Sequence, residues 1–315
     1  MKLPSHKEFR VIVRKKAVGK LGVKPEDRDT ETFIKNAIVN IDKPAGPTSH
    51  NVSAYVQRIL RLKKAGHSGT LDPAVTGVLP VALENAVKVA QALMGSDKEY
   101  VCVMYLHKTV EEVGLKKLKE AFDHFTGKIM QMVPKKSAVK RQEREREIHY
   151  IKLLETKDKD VLFIVGCQAG TYIRKLCHDI GEYLGCGAHM KELRRTKAGP
   201  FDESTLVTLN KLKDVYDEYK ETGNDRHLRK LLLPVEYATR YIPKIWCDDE
   251  AIKHIKHGRS LLGKHISKLT DKIEAGQLVC IMSLKGELIA LGISTDSSTG
   301  LKTREGVAAR IKRVF

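Results

Sequence analysis

No Cys-x-x-Cys pair occurs in this sequence, although it holds six cysteines: Cys102, Cys167, Cys177, Cys186, Cys247 and Cys280. A structural zinc site needs tightly spaced ligand pairs, and a disulfide framework needs an oxidising compartment. Cys186 and His189 lie close, but no second pair accompanies them. The expectation is six reduced, mostly buried thiols in a cytosolic protein with no metal. The first residues, MKLPSHKEFR, hold no apolar core for a signal peptide. No stretch approaches the roughly 18 apolar residues of a membrane span. The motifs HExxH, GxSxG and GxGxxG are missing, which removes the commonest metalloprotease, serine-hydrolase and dinucleotide signatures. One near miss, GRSLLGKH at 258–265, ends in His265 where a P-loop needs Ser or Thr, and it follows a helical stretch rather than a strand.

What is present is positive charge. Lys plus Arg number 57 against 39 Asp plus Glu, a formal +18. Such a balance points to a polyanionic partner, nucleic acid or an anionic membrane surface. With 42% hydrophobic and 30% charged residues the chain is a folded protein, and 315 residues suit one large domain or two. Residues 1–35 are basic and weakly periodic, an arm expected to lie on another domain. Residues 36–242 mix strands and helices without a regular βαβ alternation, which argues α+β.

Within that segment, strands are expected at 36–44, 77–83, 98–107, 148–156 and 160–168, and helices at 49–60, 84–93, 115–125 and 171–185. Thr48 or Ser49 caps the first helix. The polar run 134–147 reads as a solvated loop, and Pro234 and Pro243 as the brackets of a linker. Residues 243–315 read as a small β-rich domain, with a helix at 249–257 and a hairpin turning at Lys285-Gly286. It is expected to be separable from the rest.

Five blocks then stand in order: NIDKPAGPTSH (40–50), GHSGTLDPAVTGVLPVAL (66–83), KEYVC (98–102), AGTYIRKLCHDIG (169–181) and GAHMKELRRTKAGPF (187–201). Together they resemble the TruB family of pseudouridine synthases. SAVKR (137–141) and GAHMKELRRT are closer to its archaeal and eukaryotic branch, the dyskerin-type enzymes of box H/ACA ribonucleoproteins. The C-terminal segment is similar to a PUA domain. The resemblance implies a mixed-sheet catalytic domain, a PUA RNA-binding domain and isomerisation of uridine to pseudouridine in RNA, with no cofactor and no metal. GKIMQMVPKKSAVKR departs from the family, where a double proline is commoner, and this leaves the local loop shape open.

The resemblance also assigns residues. Asp72, the only acid of its loop, matches the essential aspartate, the nucleophile; read alone, an Asp before Pro73 favours an Asx turn. Arg174 matches the arginine that pairs with it, and Tyr172 a tyrosine that moves a proton from carbon 5 of the base. Tyr100 matches the tyrosine that stacks on the target base; read alone, it is an ordinary strand aromatic. Lys43 supports the site or contacts RNA, His67 holds the flipped-out region, and Leu193 lines the pocket. Lys135, Lys136, Lys140 and Arg141 form a basic loop that closes over RNA.

The implied partners are a box H/ACA guide RNA with its target rRNA, or tRNA at position 55 without a guide. The implied protein partners are a small zinc-ribbon-like protein, a glycine/arginine-type protein and a kink-turn-binding protein. The lack of long Lys-rich tails suggests an archaeal, cytoplasmic protein without a membrane partner. A non-catalytic RNA scaffold of the same fold is the alternative.

Overall fold

Ten strands build one mixed sheet in the computed structural model, which describes residues 3–133 and 142–315. From edge to edge the main path runs Leu232–Pro234, Ala37–Lys43, Thr76–Leu83, Ala188–Ala198, Lys98–Leu106, Asp160–Cys167, Glu143–Lys157 and Gly127–Met132. Only Thr76–Leu83 and Ala188–Ala198 pair in parallel here, and only over Thr76↔Arg194 and Gly77↔Arg195. The sheet is antiparallel on either side of that seam. A parallel pair puts the same ends of two strands side by side, so the loops leaving those ends converge.

A second sheet of seven strands follows the order Val11–Val13, Ile266–Thr270, Lys244–Cys247, Leu278–Met282, Leu288–Ser294, Val307–Val314 and Leu261–Leu262. The arm therefore contributes an edge strand, with Val11 opposite Thr270 and Val13 opposite Lys268. The two sheets share an apolar cluster. Ile38, Val78, Ala82 and Phe201 of the first pack with Cys280, Met282, Leu288 and Leu291 of the second. Residues 243–315 have a core of their own and are also joined to the rest by a buried apolar face. Pro234 and its neighbours are no loose linker: Leu232–Pro234 pairs with Ala37–Val39, and Val235 and Ala238 are buried.

Most elements lie where the patterning puts them. The helix Ser49–Ile59 starts at Thr48, whose hydroxyl accepts the Asn51 N–H at 3.1 Å. The helices Leu115–His124 and Ile173–Tyr183 bury one face each. The 84–93 stretch splits into a 3-10 turn, Glu84–Val89, and a short helix, Ala90–Met94. Among the strands that went unread are Val11–Val13, Gly127–Met132 and Ala188–Ala198. Glu143–Glu147, expected in a solvated loop, instead extends a long strand against Gly127–Met132. Lys135, Lys136, Lys140 and Arg141 lie outside the described residues. No helix among the described residues is long and apolar enough to cross a membrane.

Candidate active site

Asp72 sits on the loop between the strands Ala65–His67 and Thr76–Leu83, and its backbone is clamped from two sides. On one side Ser49, fully buried in the first turn of its helix, accepts the Leu71 N–H at 2.8 Å and donates to the Leu71 carbonyl at 3.2 Å. On the other side Lys43 ends the strand Ala37–Lys43 with no exposed surface. Its ammonium donates to the carbonyl oxygens of Pro44 at 2.9 Å, Pro73 at 2.9 Å and Val75 at 2.8 Å. Three donors on three acceptors satisfy the group. Burial still pulls the Lys43 pKa below its ordinary value, against the attraction of Asp72, which raises it. A side chain buried in this way holds the loop and presents nothing to RNA.

The carboxylate itself is open. Arg174 Nη2 donates to Asp72 Oδ2 at 2.6 Å, with both side chains 48% exposed. Arg174 reaches it from the first turn of the helix Ile173–Tyr183. The residue before that helix, Tyr172, is held by Gln131. The Gln131 amide oxygen accepts the Tyr172 N–H at 3.0 Å, and its NH2 group donates to the Tyr172 carbonyl at 3.2 Å. Gln131 is itself buried. Two backbone anchors therefore fix where the Tyr172 side chain and Arg174 leave the helix end.

Leu71 and Val75, on either side of the carboxylate, are buried in one apolar cluster with Tyr100, Ile173 and Leu176, and Leu193 packs against it. Tyr100 is almost wholly buried, and burial raises its phenol pKa. Behind it lies Arg195, a buried guanidinium directly opposite Tyr100 in the register of the two strands. Arg195 Nε donates to the Val78 carbonyl at 2.7 Å. His67 is half-buried, and its Nδ1 has no hydrogen-bond partner. Burial, then the charges of Arg195 and His50, lower its pKa and so favour the neutral ring.

The structure thus brings Asp72, Arg174, Lys43, Tyr100 and Tyr172 around one loop, with Leu193 at its apolar wall. Ser49, Gln131 and Arg195 complete the arrangement and went unread in the sequence. Each is a polar residue whose burial carries no sequence signal. Ser49 is also hidden by its neighbour, since either hydroxyl could cap the helix. An open carboxylate held by an arginine, on a doubly anchored loop beside a buried aromatic, suits attack on a planar-base nucleoside.

Four family models match the chain. TruB family pseudouridylate synthase (N terminal domain) covers residues 57–173, and the tRNA pseudouridylate synthase B C-terminal domain covers 174–240. The DKCLD (NUC011) domain covers 3–53, and the PUA domain covers 243–315. The probable tRNA pseudouridine synthase B of Methanopyrus kandleri is 49% identical over 93% of this chain and 86% of its own. That of Pyrococcus horikoshii is 50% identical over 94% and 88%. Among solved structures, the Cbf5 chain of a Cbf5-Nop10-Gar1 complex matches at TM-score 0.94 and 46% identity, covering 99% of this chain and 96% of that one. A chain of an H/ACA RNP bound to a substrate RNA containing 2'-deoxyuridine matches at 0.93 and 44%, covering 100% and 97%. At this identity, over nearly the full length of both partners, the chain belongs to the TruB family of pseudouridine synthases, in its Cbf5 branch.

Proposed function

We propose that this synthase converts uridines in RNA paired to a box H/ACA guide RNA, with Asp72 as the nucleophile. The observation that carries the reading is the exposed Asp72 carboxylate, 2.6 Å from Arg174 on a loop anchored by Ser49 and Lys43. The carboxylate attacks carbon 1 of the sugar, and uracil leaves with the electron pair of the carbon–nitrogen bond. The freed base turns, its carbon 5 bonds to carbon 1, and the carboxylate departs. Carbon 5 then loses a proton and nitrogen 1 gains one, so the atoms balance without a second substrate. Tyr172 receives the carbon 5 proton. Tyr100 stacks on the base, Leu193 closes the apolar side, and Lys43 keeps the loop rigid from beneath.

Extruding a uridine costs a few kcal/mol, which phosphate contacts offset. The basic run Lys135, Lys136, Lys140 and Arg141 supplies part of them. His67 holds the flipped-out region of the target. We assign 1–35 to an arm, 36–242 to catalysis and 243–315 to guide RNA binding. The solved relatives, a Cbf5-Nop10-Gar1 complex and an H/ACA RNP on substrate RNA, support the same partner classes here: a guide RNA, a small zinc-ribbon-like protein and a glycine/arginine-type protein. A kink-turn-binding protein completes the assembly. The retained Asp72, Tyr100, Tyr172 and Arg174 favour the enzyme over a scaffold.

Labelled RNA tests this. Pseudouridine should form in a guide–target pair with the partner proteins added, and far more slowly in free tRNA. Equal or faster conversion of free tRNA at position 55 would replace guided selection by direct recognition.

A further inference from the structure

Arg195 is the largest fully buried side chain of the described residues, at 1% exposure, and it makes no ion pair among them. A buried charge without a counter-ion is expensive, and an apolar side chain of similar volume would serve packing better. Its burial lowers its own pKa, which records that expense.

The guanidinium instead connects two pieces of the site. Nη2 donates to the Gly69 carbonyl at 3.4 Å, on the loop three residues before Asp72. Nε donates to the Val78 carbonyl at 2.7 Å, just after that loop. Tyr100 stands directly opposite Arg195 on the neighbouring strand, so the two side chains share one face of the sheet. The approach is close along its whole length. A Cβ on Gly69 would lie 3.7 Å from Arg195 Nη1, and one on Gly77 would lie 2.2 Å from the Arg195 carbonyl oxygen. Both glycines hold positive φ, +109° and +98°. Val78 and Gly69 bracket the catalytic loop, and a planar fork with several donors reaches both from its place opposite the stacking ring.

We propose that Arg195 is a positioning residue of the isomerase, a buried fork that fixes the separation between the Asp72 loop and the Tyr100 ring. This rests on the roles given above to Asp72 and Tyr100. Arg195 touches no reacting atom. Its effect is on how often carboxylate and ring face a bound uridine together.

The test is single-turnover pseudouridine formation at saturating enzyme, with RNA affinity measured separately, for wild type, Arg195→Lys, Tyr100→Phe and the double variant. Arg195→Lys keeps the buried charge but loses the fork. It should slow the bound-state step 10- to 100-fold with RNA affinity within threefold. The double variant should lose little more than the worse single, because the two side chains are cross-strand neighbours that set one arrangement. Fully multiplicative losses would overturn the proposal. So would a rate loss in Arg195→Lys that vanishes once corrected for the folded fraction by circular dichroism, since that is a packing role alone. Asp72→Asn, run alongside, separates the two levels. If it stays active, the underlying reading fails. If it is dead while Arg195→Lys turns over normally, only the positioning role fails.

Discussion

Lys43 illustrates how a residue can serve a site without facing it. Its three donors end on Pro44, Pro73 and Val75, so the turn after Asp72 is tied to the strand below. Lys43→Met would leave those carbonyls without their ammonium donor while removing a buried charge. A net loss of roughly 2–4 kcal/mol is expected from the unsatisfied acceptors. Denaturant unfolding should show it, and single-turnover rate should fall at least tenfold while RNA affinity holds. Unchanged stability would mean that the clamp does not bear on the loop. By contrast the Asp72–Arg174 pair is half in solvent, and an ion pair so exposed adds little to stability. Its interest is chemical. At this scale the sequence was legible where family blocks marked a residue, as at Asp72 and Arg174. It was opaque at Ser49, Gln131 and Arg195, because nothing local distinguishes a buried polar side chain from an exposed one.

Among the elements, the strand Ala188–Ala198 was the hardest to read and matters most. AHMKELRRTKA shows no alternation, since its charged side chains find partners: Lys191 with Asp160 at 2.7 Å, Arg194 with Asp42 at 2.9 Å, Lys197 with Glu99 at 3.0 Å. Tertiary pairing replaced the pattern that would have announced it. The parallel seam it forms demands a glycine. Gly46→Ala and Gly77→Ala share a positive φ, +108° and +98°, but only the second meets backbone, at 2.2 Å. Gly46→Ala should cost about 1–2 kcal/mol and Gly77→Ala at least twice that, by thermal unfolding. Equal costs would contradict the close approach.

Lys98 gives the same region a pH signature. Burial pulls its pKa from 10.5 to about 8. Between those values the unfolded chain holds the extra proton, so stability should rise with pH across that window. The gap corresponds to on the order of 3 kcal/mol. The wild-type unfolding free energy minus that of Lys98→Met, measured from pH 7.5 to 10.5, should climb accordingly. A flat difference would mean that Lys98 keeps its charge.

Across the whole molecule, charge and apolar burial bind the arm, the catalytic sheet and the second sheet together. Arg28 of the arm is buried and donates to both oxygens of Glu236, at 3.0 and 2.6 Å, and Glu236 also accepts the Leu288 N–H at 2.9 Å. Arg28→Ala strands a half-wrapped carboxylate between the sheets and should cost about 3–5 kcal/mol in unfolding experiments. Deleting 243–315 would expose Ile38, Val78 and Phe201, so the truncated chain should aggregate rather than report on RNA binding alone. The α+β class, the β-rich C-terminal region and the family were readable from ordered motifs. The shared apolar face was not, because its residues lie far apart in the chain and each resembles ordinary core.

The most direct test of the account is the fate of Asp72→Asn. Pseudouridine formation in a guided target should fall at least a thousandfold, while RNA affinity and melting temperature stay near wild type. The change removes one charge at a half-exposed point and leaves the Ser49 and Lys43 anchors intact. Retained turnover, or a collapse of RNA binding in a folded variant, would contradict the role of that carboxylate.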